Sequence, residues 1–230
     1  MYLSHNYSGV KNPLRDHLLN VANGCGSGLF FNVGLLHDFG KYRGTFQKYL
    51  NGDDVTPADK THAVAGARFL YQHMVNKIDP VTLSIGMIAI ACHHTGLQDD
   101  VATRISGPAA NREFSESLNQ ESIQLHQLLQ PITPIMGNIA MATRMTLSKL
   151  VHADWTDASK IYGNYKEMTY SSIPTLVGRM DKFVKSIGTN NLSTVRNKIL
   201  DECNNKSSSS PGWFSLEVPT GGGKTMSRLS

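Results

Sequence analysis

The chain has 230 residues, of which 40% are hydrophobic, 17% charged and 8% aromatic, with a formal net charge of +4. Those proportions exclude global disorder, collagen-like repeats and a coiled coil, and a chain of this length buries a sizeable core without disulfide or metal staples. The mild positive charge permits a nucleic-acid partner without arguing for one. Cys25, Cys92 and Cys203 are too few and too far apart for a disulfide framework or a zinc knuckle, which fits a reducing cytoplasm. The longest apolar stretch, residues 83–92, is far short of the roughly 18 residues that span a bilayer, and no signal-peptide pattern is present, so no membrane role is expected.

In chain order, most of the sequence predicts helix. Leu14, Leu18 and Val21 recur at i, i+4, i+7. Residues 30–39 form an apolar run closed by Gly40, and 61–78 read as a helix with Ala65 and Phe69 turned inward. Residues 85–94 are almost wholly apolar, a helix buried on most sides. A polar helix is expected over 120–130, a long one over 135–154 after Pro131 and Pro134, and two more over 174–187 and 193–203. Residues 44–59 and 96–110, rich in Gly, Asp, Thr and Pro, read as loops. Residues 204–212 have no apolar side chain and read as a linker. After it, 213–218 alternates like a strand and leads into Pro219-Thr-Gly-Gly-Gly-Lys-Thr225.

The chemistry is carried by histidines and aspartates set into apolar helices. His17 lies within the first; His37 and Asp38 end the second; His62 opens the third; His93 and His94 end the most hydrophobic segment. Asp154 lies seven residues after Leu147, with Leu150 and Val151 between, so its carboxylate projects from an apolar face. A buried ionised carboxylate is costly unless paired or metal-bound, and neither Arg144 nor Lys149 shares that face. Metal binding would resolve the cost for the whole set. Imidazole and carboxylate without thiolate suit manganese, iron, nickel or cobalt, with magnesium as an alternative. These ligands exceed what one ion takes, which points to two divalent ions sharing a carboxylate, an arrangement suited to phosphoester hydrolysis. His5, His73, His126 and His152 are read as non-ligands; His152 is two residues from Asp154, roughly 200° around the helix.

The order H…HD…H…HH…D resembles the HD superfamily of metal-dependent phosphohydrolases. Leu-x-x-His-x-x-x-Val-Ala at 14–22, His-Asp-x-Gly-Lys at 37–41, Phe-Gln-Lys-Tyr-Leu at 46–50, His-Ala-x-Ala-Gly-Ala at 62–67, His-His-x-Gly-Leu at 93–97 and Ala-Asp at 153–154 narrow the match. Together they resemble the HD nuclease domain of the CRISPR-associated helicase-nuclease of type I interference systems, over about residues 1–187. The resemblance implies an all-α HD-domain helical bundle with a dinuclear metal site, occupying 1–203 (core 1–187) and followed by the start of a superfamily-2 helicase at 213–230. It implies that His17, His37, Asp38 and Asp154 hold one metal, and that Asp38, His62, His93 and His94 hold the other, with Asp38 bridging. Lys41 would touch the scissile phosphate or orient a ligand. The implied substrate is single-stranded DNA exposed by the RNA-guided surveillance complex (Cascade).

A single strand needs a basic groove with stacking aromatics, for which Lys41, Tyr42, Arg43, Lys48 and Tyr49 are candidates. In the phosphate loop, Gly221 and Gly223 would admit phosphate to the backbone, Lys224 would reach the outer phosphates and Thr225 would ligate magnesium. No acidic motif, arginine finger or second lobe follows, so the loop is expected to be the truncated start of a helicase. ATP and magnesium would then belong to the full-length protein only. Two other functions compete with a DNA nuclease. One is an HD phosphohydrolase acting on nucleotides, which would have no need of a motor. The other is a nonenzymatic docking module, against which the complete ligand set argues.

Overall fold

The computed structural model of the chain describes residues 1–7, 9–163, 165–166, 171–186, 192–210, 212–224 and 227. Residues Met1–Lys166 form one compact unit and Glu167–Ser230 a second. The architecture is all-α apart from one two-stranded sheet among the described residues. No described helix is long and apolar enough to cross a membrane.

The first unit opens with an antiparallel hairpin, β1 (Leu3–Tyr7) and β2 (Val10–Pro13), whose register shifts between Leu3 and His5. Five helices then build the core. They are α1 (Leu14–Cys25), α2 (Leu29–Leu36), α4 (Ala63–Met74), α5 (Pro80–Cys92) and α9 (Ile139–Ile161). Pro13 fixes the entry to α1, and Leu14, Leu18 and Val21 are fully buried on one face as their spacing requires. α2 is buried nearly all round, and its Leu35 and Leu36 are fully enclosed. α5 starts with Pro80 behind an Asp79 cap that accepts from Thr82 N at 2.8 Å, and buries Ile85, Ala89 and Ile90. α9 begins with Asn138 accepting from Met141 N at 3.0 Å, and sends Thr146, Leu150 and Ala153 inward. Each fully buried leucine or isoleucine contributes about 1.5–3 kcal/mol relative to exposure.

α1 packs on α2 and α9, α4 packs on α5, and α5 packs on α9. At the α2–α4 crossing, a side chain on Gly66 would collide with the Leu36 carbonyl, so only glycine allows this approach. That close crossing fixes the end of α2, where His37 and Asp38 lie.

The two expected loops hold structure. Residues 44–59 contain α3 (Gly44–Leu50), followed by a 3-10 turn at Pro57–Lys60. Residues 96–110 contain α6 (Val101–Ser106) and the start of α7 (Pro108–Ser117). Both are short amphipathic turns in a polar sequence, and tertiary contact decides them. The polar helix near 120 is one turn, α8 (Gln120–Ile123), continued by a 3-10 stretch at Gln124–Leu128. Residues 135–138 lie outside the long helix, which continues past Asp154 to Ile161.

The second unit contains α10 (Ile173–Ser186) and α11 (Ser193–Lys206). Helix therefore covers the first three residues of the expected linker. The strand expected over 213–218 is not formed: those residues have no ladder partner among the described residues, and Trp213 is fully exposed. Alternation alone does not make a strand without a sheet to join.

Candidate metal centre

The five core helices, or the residues flanking them, each contribute to one polar cluster. His17 projects from the middle of α1. His37 and Asp38 follow α2, before a 3-10 turn at Phe39–Tyr42. His62 precedes α4, His93 and His94 follow α5, and Asp154 lies on α9. Two sets of side chains bring their ligand atoms within 4.8 Å of one another: His17, His37, Asp38 and Asp154, and Asp38, His62, His93 and His94. All seven side chains expected from the sequence are thus gathered here.

Asp38 belongs to both sets, and its two oxygens divide between them. Oδ2 lies 3.3 Å from His17 Nε2 and 3.3 Å from His37 Nε2. Oδ1 lies 3.4 Å from His62 Nε2 and 3.6 Å from His93 Nε2. Asp154 Oδ1 closes the first set at 3.4 Å from His17 Nε2 and 3.6 Å from His37 Nε2. In the second set His62 Nε2 and His94 Nε2 are 2.7 Å apart.

The outward nitrogens of four of the five rings are engaged. His17 Nδ1 lies 2.7 Å from Asp157 Oδ2, His37 Nδ1 2.8 Å from Gly34 O, His62 Nδ1 3.0 Å from Lys60 O and His93 Nδ1 2.7 Å from Ile90 O. Each acceptor takes the Nδ1 proton and leaves Nε2 as the atom turned inward. The Nε2 atoms of His17, His37 and His93, with Asp38 Oδ1, are buried without a hydrogen-bond partner. Buried polar atoms left without a hydrogen-bond partner are costly, and several crowded together compound the cost. A divalent cation in each set satisfies them. The donor set therefore fits a divalent metal.

The charge pattern agrees. Burial pushes the His17 imidazolium down, but the Asp154, Asp157 and Asp38 carboxylates around it outweigh that and raise its pKa to about 10. His37 is likewise disfavoured by burial yet raised to about 9 by the Asp38 and Asp154 carboxylates. Burial disfavours the Asp38 carboxylate, but Lys41 and the two histidines hold it well below the usual range. Burial works against Asp154 too, and the His17 and His37 rings beside it hold it below the usual range. The first set thus attracts positive charge strongly. The second, with one carboxylate, does not: burial lowers His62 to about 3 and His94 to about 4.

Lys41 is 6% exposed, so it is not a solvated lysine at a helix end. Its Nζ lies 2.6 Å from Asp38 Oδ2 and donates to Ser4 O at 3.3 Å. Gln47 joins its turn to the hairpin, donating through Nε2 to Lys41 O at 2.7 Å and Leu3 O at 2.9 Å. Phe46 stacks edge-on at 4.7 Å from the His62 ring.

The expected strand-binding groove is corrected in part. Lys41, Tyr42 and Arg43 are at most 6% exposed and cannot line a surface; Lys48 and Tyr49 are exposed. Charge alternating with aromatics looks the same whether the side chains face water or each other.

Sequence reasoning missed two neighbours of the centre. Asp157 buries its carboxylate between His17 and Asn20 Nδ2, the latter at 2.9 Å. It sits three residues after Asp154 on the same face, a spacing that could have revealed it. His5 stands edge-on at 5.2 Å from His17 but belongs to neither set; it enters through the hairpin, which the sequence did not announce. His152 is exposed, as its helical phase requires, and His73 and His126 stack on each other outside both sets.

The phosphate-loop residues belong to the second unit. Gly221 and Gly223 both adopt φ of 86°, the left-handed region glycine favours, and Lys224 is exposed. Arg196 Nε donates to Gly221 O at 2.8 Å. Thr225 lies outside the described residues.

Comparison with protein-family models gives no match to this chain, and comparison with curated proteins gives none.

Proposed function

We propose that residues 1–166 carry a metal-dependent nuclease site that hydrolyses phosphodiesters of single-stranded DNA. In this reading the chain is similar to the HD nuclease domain of type I CRISPR interference, with single-stranded DNA delivered by the surveillance complex and a helicase motor as its partners. The observation that carries it is the division of Asp38, whose two oxygens face two separate imidazole sets. One carboxylate serving two sets is what a two-ion phosphoesterase requires. The ordered histidine and aspartate motifs support the same reading, as does the helicase-like loop sequence at 219–225.

His17, His37, Asp38 and Asp154 would hold one ion, and Asp38, His62, His93 and His94 the other. Two bound divalent cations lower the pKa of water and neutralise charge on attacking and leaving oxygens. The two-carboxylate set suits manganese or iron, and the three-imidazole set suits iron, cobalt or nickel. The chain's own groups prepare the site. Lys41 keeps Asp38 ionised and oriented. Asp157 and three backbone carbonyls fix the ring orientations, so the Nε2 atoms face inward before any ion arrives. The greater exposure of His94 leaves the second set as the side from which a phosphodiester approaches.

Circular single-stranded DNA tests this reading. Nicking by the purified chain with manganese or nickel, abolished by chelator, is the expected result. Turnover of free nucleotides without nicking would favour a nucleotide phosphohydrolase. A metal-loaded protein inert on both substrates would favour a docking role.

A further inference from the structure

The ligands differ in how they are held. His17, His93 and Asp154 stand in or directly after core helices, whereas His62 stands between a 3-10 turn and α4 and has no helix of its own. Something must fix that segment. Arg43, 2% exposed, spreads its guanidinium beneath it. Nη1 donates to Thr61 O at 3.1 Å and to Ala58 O at 3.4 Å. Nε and Nη2 are anchored on Glu116 Oε2 at 2.9 and 2.8 Å, and Nη2 lies 3.6 Å from Asp59 Oδ1. From the other side, Glu113 Oε1 accepts from Val64 N and Ala65 N, both at 3.0 Å, at the start of α4.

We infer that Arg43 is a positioning residue that sets the second metal site by holding the 58–62 segment, and with it the His62 ring, against Asp38 Oδ1. The inference rests on the two-ion reading above. A buried guanidinium is costly, and its rigid fork spreads separate nitrogens towards two carbonyls and a carboxylate, a geometry that the single nitrogen of a lysine does not reproduce. Its side-chain partners are Ala58, Asp59, Thr61 and Glu116, so it reaches the centre through the segment that carries His62. Glu116 is the anchor: without its charge the fork is free to leave the carbonyls.

The test is metal titration by calorimetry, with manganese as the probe and cleavage of circular single-stranded DNA followed in parallel. Wild type is expected to bind two ions. Arg43→Met and Arg43→Lys should weaken the second ion about 10–100-fold, as loss of a supporting contact does, and leave the first unchanged. Arg43→Met combined with His62→Ala should bind the second ion no more weakly than His62→Ala alone, because both act through one ring. Equal weakening of both ions, or an additive double variant, would overturn the role assigned to Arg43. Should Arg43→Met lose its near-ultraviolet dichroism, Glu116→Gln decides: a smaller loss confined to the second ion supports the role, and unchanged affinity rejects it. Failure of wild type to bind any ion would defeat the metal reading itself, and this inference with it.

Discussion

Lys41 Nζ sits 2.6 Å from Asp38 Oδ2, so a buried amine neutralises the carboxylate on which both ligand sets depend. Removing one member of a buried ion pair costs about 3–5 kcal/mol, because the other charge is left uncompensated. A cation bound at Asp38 supplies that compensation. His17 and His37 still face Asp38, so Lys41→Met should destabilise the chelated protein by less than that full amount, and by less again when manganese is present. Urea unfolding with chelator and with manganese measures both. Equal losses under the two conditions would show that no ion shares Asp38.

Asp38→Ala removes a ligand from both sets, and Asp154→Ala removes one from the first set only. The first variant should lose cleavage and retain neither ion firmly. The second should weaken one ion. His152→Ala, exposed on the same helix, should match wild type in both respects. Metal content after gel filtration, read beside the nicking assay, separates the three. A metal-poor His152→Ala protein would contradict the helical phase of Asp154.

The clustered histidines and aspartates stood out in the sequence because most of them interrupt an apolar run, where a polar side chain must be explained. The helices of the core were legible for the same reason: Leu14, Leu18, Val21 and Ile85 to Ile90 bury at helical spacing. What supports the set was not. Arg43 and Lys41 look like surface charges in a polar stretch, and only the fold reveals that Glu116 and Asp38 lie against them. The turns of α3, α6 and α7 have too few apolar residues to declare a period, and the hairpin of Leu3–Tyr7 and Val10–Pro13 has no turn signature beyond Gly9. At 213–218 the period-2 pattern was present and the strand was not, because pairing depends on a partner that local pattern cannot supply.

Gly40 explains the glycine in the His-Asp-x-Gly-Lys run. A Cβ there would strike the backbone of His62, from Cα to the carbonyl. Gly40→Ala must push that segment away from Asp38. Overpacking of this kind costs about 1–3 kcal/mol. The variant should fold with a lowered midpoint and lose the second ion selectively, as calorimetric titration would register. Retention of both affinities would mean that His62 tolerates displacement.

Asp157 acts on the other set. It binds His17 Nδ1 at 2.7 Å and so fixes which ring nitrogen faces the cluster. Loss of such an outer carboxylate typically weakens a metal 10–100-fold. Asp157→Ala should weaken the first ion by about that factor and leave the second unchanged. Titration with manganese reads both steps, and an unaltered first step would remove Asp157 from the centre.

The histidines make the stability of the chelated protein depend on pH in two opposed ways. His17 and His37, raised to about 10 and about 9, contribute stability that is full below their unfolded pKa of about 6.5. That contribution is lost as pH rises through 9 and 10. His62 and His94, lowered to about 3 and about 4, remain neutral in the folded chain while the unfolded chain protonates them, so they remove stability as pH falls below about 6.5. Asp38 and Asp154, held low, add to the loss at acid pH. The chelated protein should therefore be most stable near pH 6.5 and weaken on either side. Bound metal displaces the protons of His17 and His37, so the loss on the alkaline side should vanish in manganese. Urea midpoints from pH 5 to pH 10 test this. A chelated protein whose midpoint climbs steadily through pH 9 would mean that these carboxylates do not hold protons on His17 and His37, and the field drawing cations into the first set would be absent.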